Sequence, residues 1–152
     1  MKTIKAGQQA PMFDLPTQSG ERLRLDTLLA QGPVVLFFYP AASSGGCTKE
    51  ACHFRDLGPD FEAVGAQRVG ISVDDVAAQR GFADSHSLGY PLLSDTDGEI
   101  AAAYGVKRKY VSPVKRATFV IGSDGTIQDV ITSELNFTAH AEKALATLRP
   151  AS

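Results

Sequence analysis

The sequence lacks an excess of basic charge, a long apolar run and an apolar segment near its start. A formal net charge of −2 argues against a nucleic-acid or membrane-surface partner, because both favour basic faces. The apolar run 34–38 is far too short to span a membrane, and the start MKTIKAGQQAPMF does not have the pattern of a signal peptide. These absences favour a cytoplasmic protein.

Cysteine is scarce, since Cys47 and Cys52 are the only two among 152 residues. In the cytoplasm such a pair is more often catalytic, redox-active or metal-binding than a structural disulfide. A zinc site is disfavoured, because Cys47, Cys52 and His53 supply three ligands without a second ligand cluster, and we expect His53 to be a solvated helix residue. The C-x-x-C motif of dithiol oxidoreductases is also absent.

Internal repeats and linkers rich in proline, glycine or serine are absent too, which predicts one domain over 1–152. The N-terminal stretch 7–25 is predicted to be loop with a hairpin around Ser19 and Gly20. Apolar runs and helical periodicity predict the remaining elements. The predicted strands are 33–39, 68–73, 117–121 and 126–132, with a short extended segment at 90–95, and the predicted helices are 47–57, 58–66, 74–88, 98–105 and 138–149.

This order of elements predicts an α/β fold with a mixed sheet, parallel in its βα units and antiparallel at the hairpin of residues 122–125. A thioredoxin-like arrangement fits the order, with the 7–25 hairpin as an extension. A flavodoxin-like doubly wound sheet is the alternative, but such sheets contain few hairpins.

Cys47 is predicted at the first turn of a helix that follows a buried strand. Unpaired backbone N–H groups and the positive end of the helix dipole at that position favour a thiolate over a thiol. Lys49 adds a positive charge nearby. The alternative is that Cys47 is a small buried hydrophobic residue.

Cys52 lies at a spacing that an intact helix keeps apart. Residues five apart in an ideal helix have Cα atoms roughly 8 to 9 Å apart, whereas a disulfide requires roughly 4.4 to 6.8 Å. A bond to Cys47 therefore requires the first turns to unwind, and Gly45 and Gly46 suit such a change. Otherwise Cys52 is a core-facing residue of a stable helix.

The segment FYPAASSGGCTKEACHFRD, residues 38–56, resembles the active-site segment of the peroxiredoxins. Pro40, Ser44 and Cys47 match the pattern P-x-x-x-[T/S]-x-x-C. The position of Cys52 is similar to that in the peroxiredoxin Q branch, also called bacterioferritin comigratory protein. The stretches APMFDLP, VGISVDD, YPLLSD and RATFVIGSDGTI extend the resemblance over nearly the whole chain.

The resemblance implies a thioredoxin-like fold and a thiol peroxidase that acts on hydrogen peroxide and organic hydroperoxides. Cys47 would be the peroxidatic residue, oxidised to a sulfenic acid, and Cys52 would resolve it as an intramolecular disulfide. A thioredoxin or similar dithiol would reduce that disulfide. Metal, haem and flavin cofactors are not required.

Three further residues are candidates for the site. Ser44 would offer its hydroxyl to the thiolate and the peroxide, or act only as a helix N-cap. Pro40 would shape the loop and shield the thiolate, or simply end a strand. Arg116, selected by the family pattern R-x-T-F-[VLI]-I, would stabilise charge on the leaving oxygen together with the backbone N–H of Cys47.

Two positions depart from the family pattern, which usually has threonine at position 44 and proline at position 45. Gly45 predicts a looser loop and easier unwinding of the first helical turn. Glu50 and Arg55 match the family segment, but an ion pair or a helix-surface role is as consistent with them as catalysis.

Two other functions compete with a two-cysteine peroxidase. One is a one-cysteine peroxidase with a structural Cys52, and the other is a non-catalytic redox sensor. The chain has no long C-terminal arm with a distant resolving cysteine, which favours a monomer, with a dimer as the alternative.

Overall fold

A computed structural model describes residues 3–108 and 113–149, which form thirteen helices and strands. No helix among these residues has the length and apolar character needed to cross a membrane. In chain order the elements are β1 Asp14–Pro16, β2 Arg22–Arg24, α1 Leu25–Leu29, β3 Val34–Phe38, α2 Gly45–Asp56, α3 Gly58–Ala63, β4 Gln67–Ser72, α4 Val76–His86, β5 Leu92–Ser94, α5 Glu99–Ala103, β6 Ala117–Ile121, β7 Ile127–Thr132 and α6 Ala139–Leu148.

The central sheet has five strands in the order β5-β4-β3-β6-β7. Strands β3, β4 and β5 run parallel, whereas β6 is antiparallel to both β3 and β7. The β6–β7 hairpin turns at Gly125, whose φ of 87° lies in the region that glycine adopts at little cost. This mixed sheet confirms the thioredoxin-like prediction and excludes the flavodoxin-like alternative.

Strand β3 is buried on both faces, so its alternate side chains enter two different cores. Val34, Leu36 and Phe38 pack with residues of α1 and α5 on one face. Val35 and Phe37 pack on the other face with residues of α2, α3, α4 and α6. The helix that carries both cysteines is therefore docked on the second core.

The predicted N-terminal hairpin is confirmed, because β1 and β2 pair antiparallel around the turn that contains Gly20. The short helix α1, Leu25–Leu29, was not predicted, since five residues are too few to show a helical period. Helix α2 begins at Gly45, two residues before the predicted start, and α4 begins at Val76. Its N-cap is Asp75, whose carboxylate accepts a hydrogen bond from a backbone N–H at 2.8 Å.

Candidate active site

Cys47 lies in the first turn of α2 and is 1% exposed. Ser44 is the N-cap of this helix, and its Oγ accepts a hydrogen bond from the backbone N–H of Cys47 at 3.3 Å. That N–H is the second donor, beside Arg116, that the resemblance proposes for the leaving oxygen. In this structure it is donated to Ser44, and its role towards the leaving oxygen stays a prediction.

Arg116 reaches Cys47 because of the register between β3 and β6. Phe38 at the end of β3 pairs with Ala117, so Arg116 lies beside the loop that leads into α2. Its Nη2 donates to Cys47 Sγ at 3.3 Å, and its Nη1 donates to Glu50 Oε1 at 3.0 Å. The structure thus brings Arg116 and Cys47, 69 positions apart in the chain, into direct contact.

Glu50 and Arg55, which the family segment matched equally, have different surroundings. Glu50 is 0% exposed and holds Arg116 from the turn that follows Cys47. Arg55 pairs with Asp56 and donates to the carbonyl oxygen of His86 at 2.6 Å, which is a helix-surface role. Helical spacing is the signal that separates them, because residues three apart share a face and Cys47 faces inward.

Phe137 covers the start of α2 from the loop before α6. Its ring lies 4.9 Å from the Arg116 guanidinium carbon, a cation–π contact. A Cβ atom at Gly46 would stand 2.6 Å from two carbons of this ring, whereas a Cβ atom at Gly45 would meet nothing within 4 Å. A side chain at position 46 would therefore require Phe137 to shift, whereas position 45 has room for one.

Cys52 is half-buried at the edge of the second core, and both cysteines are free thiols. The downstream part of α2 is tied to the body of the protein. Tyr90 donates its hydroxyl to the carbonyl oxygen of Ala51 at 2.7 Å, and Arg68 donates to that of Phe54 at 2.9 Å. The first turn of α2 contains the two glycines, whereas the hydrogen bonds from Tyr90 and Arg68 hold the part that carries Cys52.

Residues 6–130 match the family model described as AhpC/TSA family. The chain belongs to the AhpC/TSA family. The crystal structure of peroxidoxin BcpB from Mycobacterium tuberculosis is 56% identical with a TM-score of 0.92, and the match covers 95% of this chain and 96% of that one.

Two further relatives place this AhpC/TSA chain with the peroxiredoxin Q and bacterioferritin comigratory proteins. A chloroplastic peroxiredoxin Q of Gentiana triflora is 35% identical over 97% of this chain and 68% of its own length. A structure of the Xanthomonas campestris bacterioferritin comigratory protein, described by its alkyl peroxide reduction activity, is 29% identical with a TM-score of 0.82, covering 90% of this chain and 89% of that one. The predicted branch is confirmed.

The loop between β3 and α2 of this AhpC/TSA chain is held in an uncommon conformation. Ser43 has a φ of 65°, which costs a non-glycine residue energy and needs support from its surroundings. Asp74 supplies support, because its Oδ2 accepts hydrogen bonds from the backbone N–H of Ala42 at 2.7 Å and from Ser72 at 2.6 Å. Pro40 follows β3 and is partly buried at the start of this loop. Asp74 thus anchors this loop, whereas its neighbour Asp75 caps α4.

Burial and the neighbouring charges act in opposite directions on Glu50 and Arg116 beside Cys47. Burial raises the pKa of Glu50 to about 8, although Arg116 acts in the opposite direction. Burial also lowers the pKa of Arg116, but Glu50 and Cys47 outweigh it, so the net shift is upward. The guanidinium therefore stays charged, while the carboxyl of Glu50 is neutral over most of the range below pH 8.

The raised pKa of Glu50 makes the folded state less stable as pH increases. Its stabilising contribution is complete below the ordinary value of 4.5 and is lost as pH rises towards about 8. We expect reduced wild-type protein to lose stability relative to Glu50→Gln over this window, by at most about 1.4 kcal/mol per pH unit. Urea denaturation at a series of pH values measures the difference.

The matched control for this measurement is Glu62→Gln, which removes an exposed carboxylate from α3. Its stability is expected to follow the wild type at every pH. A difference between wild type and Glu50→Gln that does not change with pH would contradict the assigned ionisation.

His53 is not the solvated helix residue that we expected. Its side chain is 23% exposed, and its Nε2 lies 3.5 Å from Glu142 Oε1 between α2 and α6. Among residues 3–108 and 113–149 the structure holds no group of three His, Cys, Asp or Glu side chains placed to bind a metal ion.

Proposed function

We propose that the protein is a thiol peroxidase in which Cys47 is the peroxidatic residue. The observation that carries the proposal is the 3.3 Å contact between Arg116 Nη2 and the buried Cys47 Sγ at the start of α2. The fixed guanidinium and the N-terminus of a twelve-residue helix both present positive charge to this sulfur, and the thiolate is the reactive form of cysteine. Membership of the peroxiredoxin Q branch supports the same chemistry.

In the first step the Cys47 thiolate attacks one oxygen of a hydroperoxide. The S–O bond forms as the O–O bond breaks, and the leaving oxygen takes a proton to become an alcohol or water. Arg116 would stabilise the charge that develops in this step. Ser44 accepts the N–H of Cys47 and keeps its own hydroxyl hydrogen for the thiolate or the peroxide. Pro40 would shape the entrance and limit water access.

In the second step the thiolate of Cys52 attacks the sulfur of the Cys47 sulfenic acid. A disulfide forms, and the departing hydroxide takes a proton to become water. Because α2 is continuous across both residues, its first turn must unwind before the sulfurs meet. A dithiol of the thioredoxin class would then reduce the disulfide by exchange, supplying two electrons.

Substrates of the proposed enzyme are hydrogen peroxide and organic hydroperoxides. The alkyl peroxide reduction activity named for the Xanthomonas campestris relative supports the organic class. Hydrogen peroxide presents the same O–O bond to the thiolate.

Consumption of NADPH in the presence of thioredoxin, thioredoxin reductase and a hydroperoxide tests the function. Steady consumption that depends on the protein is expected, and its absence would overturn the proposed function. Mass spectrometry after one equivalent of peroxide separates the alternatives. A disulfide between Cys47 and Cys52 supports resolution by Cys52, whereas a persistent sulfenic acid indicates a one-cysteine peroxidase.

Gly45→Pro is expected to slow formation of the Cys47–Cys52 disulfide. Position 45 is the first residue of α2, where proline is well tolerated, and Ser44 before it is already extended at φ −71° and ψ 156°. A fixed φ stabilises the helix start by about 0.4–1 kcal/mol, which corresponds to an approximately two- to fivefold slower unwinding step. Mass spectrometry of quenched samples follows the disulfide.

Gly81→Ala is the matched control for Gly45→Pro. Gly81 lies inside α4, where a Cβ atom meets nothing within 4 Å, so alanine stabilises a helix that carries no thiol. We expect unchanged disulfide formation in this variant. Equal disulfide and peroxide rates in Gly45→Pro and wild type would count against a role for Gly45.

A further inference from the structure

A buried histidine on α6 faces the carboxylate oxygen of Glu50 that Arg116 does not hold. His140 is 0% exposed, and its Nδ1 lies 3.6 Å from Glu50 Oε2. That oxygen has no hydrogen-bond partner among the described residues. An unpaired buried oxygen is costly, and the cost is greater when the oxygen carries charge.

The hydrogen bonds of His140 determine where its ring hydrogen lies. Nε2 is 2.8 Å from the carbonyl oxygen of Ser133, which can only accept, so Nε2 carries a hydrogen. Nδ1 is 2.7 Å from Thr118 Oγ1 and, in the neutral ring, accepts the hydroxyl hydrogen. If Glu50 were ionised, its Oε2 and the Nδ1 of His140 would be two acceptors that face each other with no hydrogen between them.

We propose that His140 is a positioning residue for peroxide reduction, because His140 and Glu50 hold one proton between Nδ1 and Oε2. With this proton the pair carries no net negative charge, and the Arg116 guanidinium keeps its full effect on the Cys47 thiolate. Without this proton, the carboxylate of Glu50 and the thiolate of Cys47 compete for the guanidinium of Arg116. The inference rests on the proposed peroxidase function. It adds that the proton held by His140 and Glu50 controls the charge beside Cys47.

Burial supports the location of this proton on Glu50 near neutral pH. It raises the pKa of Glu50 to about 8 and lowers the pKa of His140. Arg116 lowers both pKa values, and Glu134 raises both. The other charged groups along the contact of α2 with α6 are Lys143, which lowers the pKa of His140, and the pair of His53 with Glu142.

A double-mutant cycle of His140→Asn and Glu50→Gln tests the inference. Asparagine offers an amide N–H to an ionised Glu50 and so favours the anion. The readout is the rate of Cys47 oxidation by peroxide against pH, in a Cys52→Ser background that isolates the first step. The parent rate is expected to fall as pH rises through about 8. His140→Asn should move this fall to lower pH and reduce the rate near neutral pH about tenfold.

The Glu50→Gln background decides between a charge effect and a structural one. Glutamine stays neutral, so His140→Asn should have little further effect there. An equal loss in both backgrounds, or no loss in either, overturns the inference. If Cys47 of the parent protein does not react with peroxide, the proposed function itself is wrong. This outcome separates failure of the function from failure of the inference about His140.

Infrared difference spectra between the parent and Glu50→Gln observe the proton directly. A protonated-carboxyl band is expected near neutral pH in the parent and should be lost in His140→Asn, and its absence in the parent overturns the inference. If His140→Asn does not fold, Thr118→Val replaces it. That change removes the competing hydroxyl hydrogen and should extend the band to higher pH, and a band that does not extend overturns the inference.

Discussion

Cys47→Ser is expected to abolish peroxide consumption in the thioredoxin-coupled assay, leaving only the rate of the buffer. The hydroxyl of serine occupies nearly the same buried site, but it does not ionise beside Arg116 at neutral pH and is a poor nucleophile towards an O–O bond. The expected loss is therefore complete rather than partial. The coupled NADPH assay measures it directly.

Cys52→Ser is the matched control, because it changes the other thiol of the same helix. This variant should consume one equivalent of peroxide at the wild-type rate and then stop, with a sulfenic acid on Cys47 detectable by mass spectrometry. Full turnover by Cys47→Ser would show that the peroxidatic residue is assigned wrongly. Full turnover by Cys52→Ser would show that Cys52 is structural.

Arg116→Met is expected to reduce the rate of the peroxide step by about 100-fold or more. The substitution keeps much of the side-chain volume but removes the donor at 3.3 Å from Cys47 Sγ. Arg116→Lys should recover part of the loss, since it restores the positive charge. Recovery should be incomplete, because lysine lacks the two guanidinium nitrogens that contact Cys47 and Glu50 together. Stopped-flow measurement of a single turnover reports the rate.

Arg108→Met is the matched control for Arg116→Met. Arg108 donates to Glu134, which also accepts the backbone N–H of Arg116, but it has no contact with the thiol. A near-normal rate is expected there. If Arg116→Met does not fold, because Glu50 loses its partner, the double variant Arg116→Met with Glu50→Gln keeps the measurement feasible. A wild-type rate in a folded Arg116→Met protein would contradict the assignment.

Much of the fold was predictable because its signals are local. The run PVVLFFY has the composition of a strand buried on both faces, and β3 is buried on both faces. The turn around Gly125 indicated the hairpin that sets β6 and β7 antiparallel. The position of Cys47 at a helix start was predictable for the same reason. A buried strand, a loop and a helical pattern follow one another there in the sequence.

The surroundings of Cys47 were less predictable, since they depend on contacts between distant parts of the chain. Arg116 was selected only by the resemblance, and the register of β3 with β6 explains why it reaches Cys47. His140 lies on the apolar face of α6 with Ala144, so its periodicity indicated burial but not the carboxyl it would face. Phe137 lies in a loop, and loops carry no periodic signal.

The buried Glu50 lies on the turn of α2 just after Cys47, and this has a consequence for hydration. Unwinding that extended as far as the anchor at Ala51 would also withdraw Glu50 from Arg116, because Glu50 precedes the carbonyl oxygen that Tyr90 holds. Water then surrounds Glu50, so its carboxyl can ionise without the cost of a buried charge. In the proposed redox cycle, the side of the sheet under α2 would gain water when the disulfide forms and lose it on reduction. A reductant would therefore bind the hydrated form.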